Sequence, residues 1–183
     1  MIDRAAVRRI VVTAEYKQVF VGLGSNLDNP VAHVCAAFSD LKNINGIEVI
    51  ANSSLYKSKP LDDANQPDYI NAVTELKTTL SSIQLLEELQ RIEDAHGRVR
   101  NGERWHPRTL DLDLLLFADE VIATLHLTVP HSELAKREFV LYPLYEIAPG
   151  LMIPGQGALQ DLIDRCPQRA LQRLEEICES KAS

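Results

Sequence analysis

The run Arg108-Thr109-Leu110-Asp111-Leu112-Asp113-Leu114-Leu115 reads as a β-strand with two chemically distinct faces. Successive side chains of a strand point to opposite sides, so Asp111 and Asp113 share one face and Leu110, Leu112 and Leu114 the other. At that spacing the two carboxylates are rooted roughly 7 Å apart, and their oxygens can converge on one or two hard cations. Magnesium takes oxygen ligands and commonly binds one or two carboxylates together with substrate phosphates. Two such ions ~4 Å apart form the clamp used in phosphoryl chemistry. A bare pair of this kind is also what a solvated strand face looks like. Here, however, both aspartates interrupt an apolar run that favours strand, and their mutual repulsion calls for a compensating cation.

The residues just upstream carry the opposite charge. From Arg98 to Arg108 four arginines face one acid, Glu103, a local charge of +3 in a chain of net charge −7. Guanidinium groups fork around phosphate oxygens. A basic loop feeding into a paired-carboxylate strand describes a site for a nucleotide with magnesium, without a Walker glycine loop. Trp105, the only tryptophan, stands within this loop, where it either covers a planar ring or packs the loop down. Tyr69 and Asn71 share the strand face opposite Ile70. An Asn offers donors and an acceptor suited to a flat heterocycle, or to an internal structural partner.

Outward from this centre, Val19 to Gly24 reads as a buried strand, and Asn29-Pro30 as the cap and first position of a helix with Val31, Val34, Phe38 and Leu41 on one stripe. A second strand is expected near Ile47–Lys57, then a loop from Ser58 to Pro67 long enough to suggest a functional role. A third strand follows at Tyr69–Leu76. Ser81 and Gln84 form a capping-box pattern before a helix burying Leu85, Leu86, Leu89 and Ile92. After the strand at Leu110–Phe117, Val121-Ile122 continues a hairpin, and short helices lie near Val140–Glu146 and Leu159–Arg165. The order β-α-β-β-α-β points to an α+β, ferredoxin-like sandwich: an antiparallel sheet with helices packed on it, plus short C-terminal helices.

A chain of 183 residues and 20.5 kDa fits one domain, with 45 % hydrophobic and 25 % charged residues excluding a wholly disordered chain. The expected division is an N-terminal extension at 1–17, a domain at 18–166, and a tail at 167–183 in which Leu171–Ile177 has the pattern of a short helix. No apolar run approaches the ~20 residues of a membrane span. The net charge of −7 opposes nucleic-acid binding. Three widely spaced cysteines, Cys35, Cys166 and Cys178, with no CxxC pair, argue against a disulfide framework or zinc site and for a reducing cytoplasm.

Gly24-Ser25-Asn26, Gln66-Pro67-Asp68-Tyr69-Ile70-Asn71, Gly97-Arg98-Val99-Arg100, the run from Arg104-Trp105-His106-Pro107 through Asp113, and Thr128-Val129-Pro130-His131 stand in order along the chain. Together, over about residues 18 to 165, they strongly resemble hydroxymethyldihydropterin pyrophosphokinase, an enzyme of folate synthesis. The resemblance implies transfer of pyrophosphate from ATP to the hydroxymethyl group of a reduced pterin, leaving AMP, with two magnesium ions on Asp111 and Asp113. It implies a pterin pocket of Tyr69, Asn71, Trp105 and Phe139, with backbone contacts from Ser58 and Leu61. It implies an ATP site of Gln90, Glu93, Arg98, Arg100, Trp105, Arg108, Leu114, Thr128, His131 and Arg137. Arg98 and Arg108 would stabilise the moving phosphate oxygens, with Asp111 and Asp113 completing the catalytic set.

The chain departs from the family pattern at Lys59 and Asp62, where a proline and a glycine are usual, and at His106, His126 and Ser132. None of these removes a metal ligand or main arginine. No serine or cysteine is placed as a nucleophile. The expected protein is a cytoplasmic monomer acting on small molecules, with no nucleic-acid or membrane partner. Two other classes stay open at this point. An RNA-binding module would use the same sheet, but lacks aromatic-rich strands here. A catalytically dead pterin-binding protein would have no reason to keep both aspartates.

Overall fold

A computed structural model of the chain describes residues 15–61, 66–98, 108–175 and 178. Strand β1 (Lys17–Ser25) leads into helix α1 (Pro30–Lys42), whose N-terminal amide of Ala32 is capped by the Asn29 side chain. Strands β2 (Ile47–Asn52), β3 (Tyr56–Ser58) and β4 (Tyr69–Thr78) precede helix α2 (Ser82–Ala95). The reciprocal capping box of Ser81 and Gln84 opens α2, as the sequence pattern predicts. Strand β5 (Asp111–Phe117) follows, then the short pair β6 (Ile122–Ala123) and β7 (Thr128–Val129). Helix α3 (Glu138–Ile147), the pair β8 (Met152–Ile153) and β9 (Gly157–Ala158), helix α4 (Leu159–Arg165) and strand β10 (Gln172–Arg173) complete the order.

The main sheet runs β10-β3-β4-β1-β5, with β2 also paired to β4, and all its pairings are antiparallel. This is the α+β antiparallel architecture read from the sequence. The strand expected over Ile47–Lys57 is two strands, because residues 53–55 leave the ladder and Ser53 instead bonds Val73 through both its amide and its hydroxyl.

The period of two sorts β1 into two cores. Val19, Val21 and Leu23 face a cluster with Val34, Phe38 and Leu41 of α1 and Leu85, Leu89 and Ile92 of α2. Phe20 faces the other way, into a cluster with Val73, Leu115, Leu116 and the α3 residues Val140, Leu141 and Leu144. The two long helices therefore cover one face, and α3 and α4 cover part of the other. The open remainder of that second face is where Gly22, Gly24, Asp111 and Asp113 lie. At the ends of α1 and α2, His33 Nδ1 lies 2.8 Å from His96 Nδ1, and His96 Nε2 lies 2.9 Å from Asp40.

Two expectations are corrected at the C-terminus. The tail expected to be helical over Leu171–Ile177 forms β10 at Gln172–Arg173 instead, paired with Lys57 and Tyr56; residues 176 and 177 lie outside the described residues. Glu146 explains the docking: it accepts from the Ser54 amide and hydroxyl, the Tyr56 hydroxyl at 2.9 Å and Arg173 at 3.0 Å. Cysteine usage argued against disulfides, yet Cys35 on α1 is bonded to Cys178 across 143 residues, while Cys166 is free and buried. Wide sequence spacing hid this pair, since only the fold brings the tail back to α1.

Candidate active site

Strand β1 sets the floor of the site. Gly22 pairs with Val73 on one side and Asp113 on the other, and Gly24 with Asn71 and Asp111. Directly opposed residues of antiparallel strands project to the same face. The missing side chain at Gly24 thus leaves Asn71 and Asp111 facing the same gap. A Cβ built there would meet Asn71 Oδ1 at 3.7 Å and Asp111 Cβ at 4.0 Å. Over this floor opens a cavity of ≈ 230 Å³.

Asp111 and Asp113 both line the cavity, and Leu112 and Leu114 are buried in the opposite core, as strand alternation requires. Their surroundings differ. Asp111 is gripped by two arginines, Arg98 at 2.5 Å on Oδ1 and Arg108 at 2.7 Å on Oδ2. Among the described residues Asp113 has longer contacts, His131 at 3.9 Å and Arg137 at 3.8 Å. Burial, and then the charge of Asp111, push the Asp113 carboxyl above the usual carboxylate range, against the pull of His131, Arg137 and Arg108.

Glu93 braces the site from below. It is buried on α2, accepts the Leu112 amide at 2.7 Å and pairs with Arg98. This buried carboxylate fixes β5 between the two aspartates and aims Arg98 at Asp111. Asn26 does similar work on the loops: its Oδ1 accepts the Arg108 amide at 2.9 Å, and its Nδ2 donates to Gln66 Oε1 and the Pro67 carbonyl at 3.4 Å. It thereby ties together the returning ends of the two loops that the sequence marks as functional.

At the other end of the cavity, Asn71 donates to Ser58 Oγ at 2.9 Å and to the Tyr56 carbonyl at 3.3 Å, leaving its carbonyl oxygen toward Gly24. Tyr69, Leu61 and Phe139 line the same end. Arg137 lies with its guanidinium 5.8 Å from the Phe139 ring centre.

The cavity therefore gathers Ser58, Leu61, Tyr69, Asn71, Arg98, Arg108, Asp111, Asp113, His131, Arg137 and Phe139 from the sequence-based set. It does not gather all of that set. Leu114 lies in the core, Gln90 and Thr128 are exposed outside the lining, and Glu93 stands beneath it. Arg100 and Trp105, with the rest of the arginine loop at 99–107, lie outside the described residues, as do Asp62 and His106. Lys59 and Gly22 also line the cavity and were not among the predicted site residues. The alternation Gly22, Gly24 was the available signal: glycine at i and i+2 of a strand bares one face.

The donor set suits a hard cation that shares its shell with substrate. Two carboxylates project from one strand face, and among the described residues no third His, Cys, Asp or Glu joins them in a metal-binding group. Magnesium bound by one or two carboxylates completes its octahedron with water and phosphate oxygens. The incompletely compensated Asp113 is an oxygen donor for which a cation would remove an existing penalty.

The sequence profile of the 7,8-dihydro-6-hydroxymethylpterin-pyrophosphokinase (HPPK) family matches residues 20–149. The 2-amino-4-hydroxy-6-hydroxymethyldihydropteridine pyrophosphokinase of Haemophilus influenzae is 46 % identical over 144 residues, covering 79 % of this chain and 89 % of the relative. The Pseudomonas aeruginosa protein of the same name is 43 % identical over 158 residues, covering 86 % and 97 %. Among solved structures, wild-type Plasmodium falciparum HPPK-DHPS with SDX-DHP superposes with a TM-score of 0.64 at 13 % identity, over 82 % of this chain and 44 % of that one. This chain thus spans less than half of that longer protein, and the likeness there is one of fold. The sequence matches go further, and by them the chain belongs to the 7,8-dihydro-6-hydroxymethylpterin-pyrophosphokinase family.

Proposed function

We propose that the cavity takes the reduced pterin at its Ser58, Leu61, Tyr69, Asn71 and Phe139 end and the polyphosphate of ATP at its Arg98, Arg108, His131 and Arg137 end. The reaction is that of the family: pyrophosphate passes to the hydroxymethyl group of 6-hydroxymethyl-7,8-dihydropterin, in folate synthesis. The observation that carries the division of roles is the shared row Asn71, Gly24, Asp111. It joins a hydrogen-bonding end suited to a flat heterocycle to a charged end suited to phosphates, with nothing between them.

Asn71 and Tyr69 fix the heterocycle, with Phe139 against its face, so that the hydroxymethyl oxygen points over Gly24. That oxygen gives up its proton to solvent and forms its new bond to the β-phosphorus while the bond from that phosphorus to the oxygen bridging to the α-phosphorus breaks, and AMP leaves. Arg98 and Arg108 follow the phosphate oxygens as charge redistributes. Asp111 and Asp113 hold magnesium, two ions in this reading, which supplies charge neutralisation at the polyphosphate. Positioning and fixed charge account for the rate enhancement without a covalent intermediate. Arg100 and Trp105 belong to the same reading as ATP and pterin contacts, with Gln90, Glu93, Leu114 and Thr128 at the nucleotide's periphery.

In this reading residues 18–166 carry the catalytic groups, the extension 1–17 precedes them, the tail 167–183 packs back onto the sheet through β10, and the protein works as a monomer. No helix among the described residues is long and apolar enough to cross a membrane. Calorimetric titration with a non-hydrolysable ATP analogue tests the assignment. Affinity should fall at least tenfold when magnesium is replaced by a chelator. Equal affinity with and without the metal would remove the aspartates from the nucleotide site.

A further inference from the structure

Among the described residues, four cationic side chains of the cavity face its paired aspartates: Arg98 and Arg108 address Asp111, and His131 and Arg137 address Asp113. At the acceptor end the Arg137 guanidinium reaches the Phe139 ring, and Lys59, next to Ser58 and Leu61, is the cavity-lining cation among the described residues that pairs with neither Asp111 nor Asp113.

Lys59 rests on Asp68, 2.8 Å from Oδ1 and 3.0 Å from Oδ2. Asp68 has a second partner, Lys57, 3.2 Å from Oδ2. The Lys59 hydrogen bond is the largest influence holding the Asp68 carboxyl below its usual range, with Lys57 adding to it. The Lys59 side chain is 73 % exposed, Asp68 only 21 %. Lys59 therefore lines the cavity with a largely solvated side chain whose ammonium rests on a carboxylate that keeps another counter-ion when Lys59 departs.

The chemistry gives such a charge a task. The acceptor substrate is neutral at its hydroxymethyl group, but the product carries a diphosphate on that same carbon. The acceptor end binds an uncharged molecule before the reaction and a multiply charged one after it. Lysine is a point-charge phosphate ligand on a long stem.

We infer that Lys59 is a phosphate-binding residue of the acceptor end, leaving Asp68 to engage the diphosphate of the pterin product. This rests on the pterin and ATP ends assigned above. Lys59 then discriminates between substrate and product: it adds little to binding of the neutral pterin and holds the diphosphate as it forms.

Calorimetry with two probes, 6-hydroxymethyl-7,8-dihydropterin and its diphosphate, separates this role from a structural one. Lys59→Met should weaken the diphosphate about tenfold, the loss of one charge-assisted contact, and change neutral pterin affinity less than twofold. Lys59→Arg should retain diphosphate affinity. Asp68→Asn, which releases Lys59 from its resting partner, should tighten the diphosphate several-fold. If the pair merely clamps the loop, Lys59→Met and Asp68→Asn will weaken both probes alike, and the inference fails. Unchanged diphosphate affinity in Lys59→Met overturns it as well. Wild-type protein that binds neither probe would overturn the pterin reading itself, a result distinct from loss of diphosphate binding alone.

Discussion

Asn71 and Asp111 stand on either side of Gly24 in a single row of the sheet, with no side chain between them. A hydrogen-bonding amide and a charged carboxylate thus face one gap. A Cβ at Gly24 would make only ordinary contacts, at 3.7 Å or more, so the glycine is not required for packing. Gly24→Ala should fold normally, and the strand-favouring Gly24→Val should keep its melting temperature within a few degrees. The valine methyls would fill the gap, however, and kcat/KM should fall by about 100-fold or more, as for other displacements of ~1 Å at reacting groups. Thermal unfolding beside steady-state kinetics checks the pair. Full activity in Gly24→Val would mean that the reacting groups do not meet over this row.

The two aspartates should respond differently to neutralisation, although both variants lose activity. Asp111→Asn strips a shared partner from Arg98 and Arg108 and should cost on the order of 1–3 kcal/mol of stability. Asp113 titrates above the usual range because burial and Asp111 disfavour its charge. A carboxyl with a raised folded-state pKa binds more protons folded than unfolded, so its charge erodes stability as pH rises. Asp113→Asn should therefore match the wild type at low pH and exceed it at neutral pH, in chelator. Denaturant midpoints across that range decide, and equal losses in both variants would contradict the asymmetry.

How far the sequence reveals this site follows from range. The face shared by Asp111 and Asp113, the Asn29 and Ser81 caps and the stripes of α1 and α2 rest on period and nearest neighbours, and they appear as read. The union of Asn71 with Asp111 depends on β4-β1-β5 register, which a single sequence does not display. Likewise, the resemblance offers Glu93 as an ATP-site residue, whereas its brace on the Leu112 amide and Arg98 depends on how α2 packs against β5. The tail escaped for the same reason: β10 exists because Glu146, 27 residues earlier, holds Arg173.

That tail contact has a pH signature. Burial, followed by the hydrogen bond to Glu146 and its charge, pushes the Tyr56 hydroxyl up to about 12, against a smaller opposing effect of Arg173. The raised value means that Tyr56 stabilises the fold fully below the ordinary tyrosine value near 10 and loses that contribution as pH climbs through about 12. At neutral pH Tyr56→Phe should cost about 1 kcal/mol. The difference from wild type should hold constant up to about pH 10 and fade above it. A difference that does not vary across that range would detach the hydroxyl from Glu146.

Cys35 and Cys178 give a chemical readout of the same tail. Under denaturing, non-reducing conditions, air-oxidised protein should show one reactive thiol, Cys166, and three after reduction. Reduction should lower stability by about 2–4 kcal/mol, the usual range for a long closed loop. Three thiols in oxidised protein would leave the tail held by β10 alone.

The central claim is that a pyrophosphoryl group moves as a unit across the Asn71–Asp111 gap. The most direct measurement is a single-turnover reaction with ATP labelled at the β-phosphorus, magnesium and 6-hydroxymethyl-7,8-dihydropterin, with nucleotide and pterin products resolved together. The expected result is AMP and pterin diphosphate in equal amounts, with the label on the pterin. ADP as the main nucleotide product, or label retained on the nucleotide, would contradict the account.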